Sequence, residues 1–134
     1  MIGDELEERM VNILLVSTDR DRFADMIAGL KRRGAGILDT DKAQTAYELI
    51  SKQAFDLVIV DESIDDEPGL QVAKHLIAAN PVTNLALISD LPPKAFHQET
   101  EGMGVLAQVP RQPDEAQTAD LLNRLKTVLG LDGR

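Results

Sequence analysis

Five short aliphatic runs, separated by segments with helical spacing, set the pattern of the chain. The runs are Val11 to Val16 (interrupted by Asn12), Ala35 to Leu38, Leu57 to Val60, Leu85 to Ile88 and Val105 to Val109. Each is too short for a stable helix and rich in Val, Ile and Leu, which predicts a buried strand. Between them, Phe23, Met26, Ile27 and Leu30 fall at i, i+3, i+4 and i+7, one apolar stripe, with Asp19 or Asp21 as its cap and Gly34 as its stop. Ala43, Ala46, Tyr47 and Ile50 repeat the pattern with Asp41 as cap, and Leu70, Ala73, Leu76 and Ile77 repeat it after Pro68-Gly69. Leu121, Leu122, Leu125, Val128 and Leu129 form the last and longest stripe, before Gly130. The segment from Lys94 to Met103 follows Pro92-Pro93 and carries Phe96 but no clear stripe, so its helical pattern is the weakest.

Strand and helix thus alternate along the whole chain, which predicts a doubly wound parallel α/β sheet with helices on both faces. In such sheets chemistry gathers at the carboxyl ends of the strands. With 134 residues there is room for one domain, placed at 11–130, between a frayed or disordered N-terminus (1–10) and a C-terminal tail (131–134).

Composition narrows the function. Aromatics are only 3%, so the core must be aliphatic, as suits a parallel sheet covered by helices. A net charge of -9 argues against nucleic acid, whose binding rests on neutralising phosphates with Lys and Arg. There is no cysteine, hence no disulfide framework and no thiolate metal site. Met1 to Met10 is acidic and lacks the apolar core of a signal peptide, and no apolar run is long enough to span a bilayer. These features predict a soluble, cytoplasmic protein with no membrane or nucleic-acid partner.

The most informative strand end is Asp61, which closes the run Leu57-Val58-Ile59-Val60 and precedes an acidic loop and Pro68-Gly69-Leu70. A carboxylate there is either a nucleophile or metal ligand, or an acid capping a turn on the solvent side; spacing alone favours the second. The run Phe55 to Asp61, with Gly69-Leu70 eight residues beyond the aspartate, resembles the phosphoacceptor segment of bacterial response-regulator receiver domains. The resemblance extends over roughly Val11 to Leu129. It implies a flavodoxin-like (βα)5 sandwich with strand order 2-1-3-4-5, and a signalling module of a two-component phosphorelay rather than an enzyme.

The resemblance also implies roles for single residues. Asp61 matches the phosphoacceptor, which takes its group from a histidine kinase. Ser63 matches the position whose backbone carbonyl binds Mg²⁺, and Asp61 itself is a metal ligand. Ser89 matches the hydroxyl that hydrogen-bonds the phosphoryl group. Arg111 falls where the family usually has a lysine, also facing the phosphoryl group, although a second register puts Gln112 there.

Several positions depart from the family. Ser17-Thr18 replaces the acidic pair after the first strand, which weakens any Mg²⁺ site, since this hard cation prefers carboxylates. Asp19, one position on, either reaches inward as a weak ligand or caps the first helix. Arg111 keeps positive charge in the shape of a planar fork, which suits a standing ion pair with Asp61. Asp90 follows Ser89 near the site, where a carboxylate repels a dianion or substitutes as a ligand. Gln108 occupies the switch position, usually aromatic.

These departures leave two versions open: a phosphorylated receiver, and a pseudo-receiver that binds partners without phosphate. Either has a histidine kinase or another signalling protein as partner, and a homodimer is one assembly the family uses. Readings from other classes fare worse. The acidic loop lacks the alternation and closing Glu of a calcium loop. A flavodoxin-type cofactor cradle at Ser17-Thr18 lacks ring-stacking aromatics and a glycine-rich phosphate loop. His75 and His97 have no metal-ligand spacing and read as isolated surface histidines.

Overall fold

The computed structural model describes residues 10–131. Its five principal strands are β1 (Asn12–Val16), β2 (Gly36–Thr40), β3 (Leu57–Val60), β4 (Asn84–Ile88) and β5 (Ala107–Val109). Five helices alternate with them: α1 (Ala24–Arg32), α2 (Ala43–Lys52), α3 (Gly69–Ala79), α4 (Pro93–Glu99) and α5 (Glu115–Leu129). All neighbouring strands pair in parallel, in the spatial order β2-β1-β3-β4-β5. The doubly wound sheet and the 2-1-3-4-5 order are therefore as expected.

Alternation along the strands divides the core. Ile13, Leu15, Leu57, Ile59, Ala86 and Ile88 face α1 and α5 with Phe23, Met26, Leu30, Leu122 and Leu125. Leu14, Val16, Val58, Val60, Leu85 and Leu87 face the other side with Ala46, Ile50, Val72, Ala73 and Leu76. Burial on both faces is why the strands read as continuous apolar runs. The weak fourth helix pattern has a structural counterpart: α4 is seven residues long and has no buried residue.

Local features differ from expectation at the caps. Asp19 flanks a 3-10 turn, Arg20–Phe23, that leads into α1, and its side chain makes no capping hydrogen bond. The carboxylate instead accepts from Arg22 Nη1 at 3.4 Å. Asp21 lies inside that turn, so neither aspartate caps the helix. Lys42, not Asp41, precedes α2, and its backbone N–H donates to Thr40 Oγ1. Among the described residues the one full capping box is at α5: Asp114 accepts from the Gln117 N–H while the Gln117 side chain accepts from the Asp114 N–H. Val128, assigned to the α5 stripe, is exposed. Leu131, assigned to the tail, packs against the core and donates to the Lys126 carbonyl. The frayed N-terminus predicted for 1–10 falls, apart from Met10, outside the described residues, as do 132–134 of the tail.

Candidate functional site

The carboxyl ends of β1 and β3 are brought side by side by the ladder itself. The Asp61 N–H donates to the Val16 carbonyl and the Ser17 N–H to the Thr40 carbonyl, each extending the pairing one residue past its strand. Ser17 and Asp61 thereby become adjacent, and both are buried. A buried carboxylate needs partners, and Asp61 has three. Ser17 Oγ donates to Oδ2 at 2.7 Å, while Arg22 Nη2 and the Glu62 N–H donate to Oδ1 at 2.5 Å and 2.8 Å.

Arg22 was not singled out by the sequence. It projects from the 3-10 turn toward the strand ends, its guanidinium 4.6 Å above the Phe23 ring, and its Nε donates to the Arg111 carbonyl at 2.8 Å. The ion pair expected between Arg111 and Asp61 is thus made by Arg22, because the turn before α1 brings that fork directly over the β3 end. The Arg111 side chain turns to the rim and pairs with Glu62 at 3.0 Å. The sequence carries no signal that separates Arg22 from Arg20: it immediately precedes Phe23, the first residue of the α1 stripe, but periodicity does not say which arginine turns inward.

The floor of the site explains the Gly-Leu spacing. A Cβ on Gly69 would lie 1.9 Å from the Asp61 carbonyl oxygen, so only glycine lets α3 begin against the phosphoacceptor-like loop. The Gly69 N–H donates to the Glu62 carbonyl at 2.7 Å. Between them a short hairpin pairs Ser63–Ile64 with Glu67–Pro68, and Asp65 turns its corner at φ 56°, a conformation Asp tolerates.

On the β4 side, Ser89 and Asp61 line one cavity of about 300 Å³, together with Leu70, Leu91 and Phe96. Ser89 Oγ accepts from the Leu91 N–H, and Gln108 Nε2 donates to the Ser89 carbonyl at 3.2 Å and the Leu91 carbonyl at 2.8 Å. Gln108, at the position where the sequence resemblance implied a ring, presents an amide that ties down the loop after β4. Asp90 and Gln112 are exposed and do not line the cavity.

The side chains expected around a metal come together only in part. Thr18 is exposed, Asp19 is exposed with its carboxylate on the same Arg22 guanidinium that holds Asp61, and the Ser63 side chain is exposed in the hairpin. Among the described residues no three His, Cys, Asp or Glu side chains are grouped to hold a metal ion. One neutral hydroxyl and one carboxylate already bound to a guanidinium are a poor donor set for a hard divalent cation. Away from the site, His75 and His97 are exposed as expected, but His75 is not isolated: Nδ1 lies 3.0 Å from the Tyr47 hydroxyl and 3.6 Å from Glu67. Burial, reinforced by the Glu67 carboxylate, holds the Tyr47 hydroxyl above its ordinary pKa.

No protein-family model matches the chain. The response regulator receiver protein CpdR of Brucella abortus (strain 2308) is 22% identical over 92 residues, spanning 69% of this chain and 77% of that protein. Among solved structures, the chemotaxis response regulator CheY4 of Vibrio cholerae gives a TM-score of 0.74 at 17% identity, covering 87% of this chain and 99% of that one. A response regulator protein from Burkholderia pseudomallei, with a phosphorylated aspartic acid, calcium ion and citrate, gives 0.70 at 16% identity, covering 90% and 72%. The chain has the fold of response-regulator receiver domains, as the sequence resemblance implied. No described helix is long and apolar enough to cross a membrane.

Proposed function

We propose that this receiver-fold domain acts in signal transduction as a protein–protein interaction module that works without phosphate, a pseudo-receiver. The observation that carries this reading is the state of Asp61. Both its oxygens are engaged by Ser17, Arg22 and the Glu62 N–H. Donors on a carboxylate withdraw the electron density that attack on phosphorus requires, and here they also hold the group at the floor of the site. Asp61 is then an anchor for the strand ends, and partners such as a histidine kinase or another signalling protein read the unphosphorylated surface of the domain. No catalytic role is assigned to it.

A second reading keeps Asp61 as phosphoacceptor, and one observation favours it: Asp61 and Ser89 open onto the same cavity. In that reading Ser89 and Arg111 hold the phosphoryl group. The test is acetyl phosphate with Mg²⁺, acid quench and intact mass, beside an Asp61→Ala control. Attack of a carboxylate oxygen on phosphorus, with acetate leaving, would add one phosphoryl group to the wild type alone. The pseudo-receiver reading expects no adduct on either protein, with folding checked by circular dichroism.

A further inference from the structure

We propose that Arg22 is the resident cation of this pocket, standing in for the divalent ion that the fold's acidic site implies and making the site refractory to that ion. With Ser17 and Thr18 at the acidic-pair positions, Asp61 is the one buried carboxylate of the site, and a single positive charge matches it. Arg22 supplies that charge with its geometry fully specified. Its Nη2 donates to Asp61 Oδ1, its Nε to the Arg111 carbonyl and its Nη1 to the Asp19 carboxylate, while its face stacks on Phe23. A guanidinium is a rigid fork with fixed donor directions, so three anchors leave it one position. Its side chain is 19% exposed, against 55% for Arg111, which separates a built-in group from a rim charge.

The hydroxyl beside it is committed as well. Ser17 Oγ gives its proton to Asp61 and accepts from the Asp19 N–H at 2.9 Å, so it has little left to offer a metal. An incoming divalent ion would have to displace Arg22 and would then find one buried carboxylate, Asp61, with Asp19, 55% exposed, as the other acid that the guanidinium bridges. Loss of the acidic pair and gain of Arg22 are, on this account, two halves of one substitution of cation. The inference rests on the geometry of Arg22 and deepens the pseudo-receiver reading without depending on it. An adduct formed from acetyl phosphate in the presence of EDTA would overturn that reading and leave this one standing.

The experiment is a Mn²⁺ titration of the ¹⁵N-labelled full chain, read by amide broadening. In the wild type, amides of Asp61, Glu62 and Ser63 should broaden no more than those of other exposed acidic segments. Selective broadening there at sub-millimolar Mn²⁺ would overturn the proposal. The variant Ser17→Asp/Thr18→Asp/Arg22→Ala restores carboxylates and removes the guanidinium, and should bind Mn²⁺ at these amides at least about tenfold more tightly. A folded variant with no gain would also overturn it. Should that variant not fold, Arg22→Gln takes its place, with the same direction expected, and Arg22→Lys should remain refractory.

Discussion

On the wall of the site built by the ends of β1 and β3, a buried carboxylate is matched by a guanidinium and a hydroxyl; on the wall built by β4 and β5, the neutral amide of Gln108 ties two backbone carbonyls. In both places the chain's own side chains satisfy the polar groups at the strand ends. The forces differ. The first wall balances charge in a poorly solvated place, where losing one partner strands the other. The second exchanges neutral hydrogen bonds, which contribute about 1 kcal/mol each and leave little behind when removed. The first wall should therefore be the more costly to disturb.

The largest effect is expected where the first wall meets α3. In Gly69→Ala the new methyl group would meet the Asp61 carbonyl at 1.9 Å, an obstacle of backbone rather than flexible side chain. Relief requires moving the start of α3 or the Asp61 loop, and a loss of about 3 kcal/mol is expected, at the upper end for overpacking. Urea denaturation measures it. A loss below about 1 kcal/mol would mean that the floor is soft and that Asp61 is not held as described.

Arg22→Ala comes next. It leaves Asp61 with Ser17 and the Glu62 N–H only, and removal of a hydrogen bond to a charged, buried group costs about 2 kcal/mol. A double-mutant cycle with Asp61→Asn sharpens the point, since residues in direct contact should couple by about 1 kcal/mol or more. Additive losses would show that the pair contributes nothing beyond its separate parts.

What the sequence disclosed follows the same division. The strands were legible because burial on both faces leaves uninterrupted runs such as Leu57 to Val60, and Asp61 was legible because it ends such a run. Gly69 was legible by its spacing, though its reason, contact with a carbonyl, needs three dimensions. Arg22 was hidden because it lies among Arg20, Arg32 and Arg33 in a charged stretch, and nothing in periodicity says which arginine turns inward. Asp19 and Asp41 misled for a related reason: acids before a helix usually cap it, but the 3-10 turn moved the start of α1 to Ala24, and Lys42 took the position before α2. Asp114, with Gln117 three residues on, was a capping box that the sequence displayed and the stripe at Leu121 obscured.

On the second wall, Gln108→Leu removes two neutral hydrogen bonds at a half-buried site where the freed carbonyls can regain water, and a loss of about 1 kcal/mol, below the sum of the two, is expected. The Leu91 amide, which donates to Ser89 Oγ, should exchange faster as the loop opens. Gln108→Glu is the sharper variant, because a carboxylate has no N–H to donate and would face two carbonyl oxygens. Neither should couple to Asp61→Asn by more than about 0.5 kcal/mol if the two walls are independent. Strong coupling would instead make them one network.

The smallest effect is expected at Arg111, the residue expected to form the standing ion pair with Asp61. Arg111→Ala removes a side chain that is 55% exposed and paired with Glu62, itself 38% exposed. Surface pairs of this kind contribute about 0–1 kcal/mol, so stability should change by no more than about 0.5 kcal/mol. The Arg111 carbonyl, which holds Arg22, is backbone and survives the substitution. Chemical shifts at Asp61 and Glu62 should accordingly move far less in Arg111→Ala than in Arg22→Ala. The reverse order would place Arg111 rather than Arg22 as the cation that Asp61 senses in solution, and the first wall would then have to be rebuilt around the end of β5.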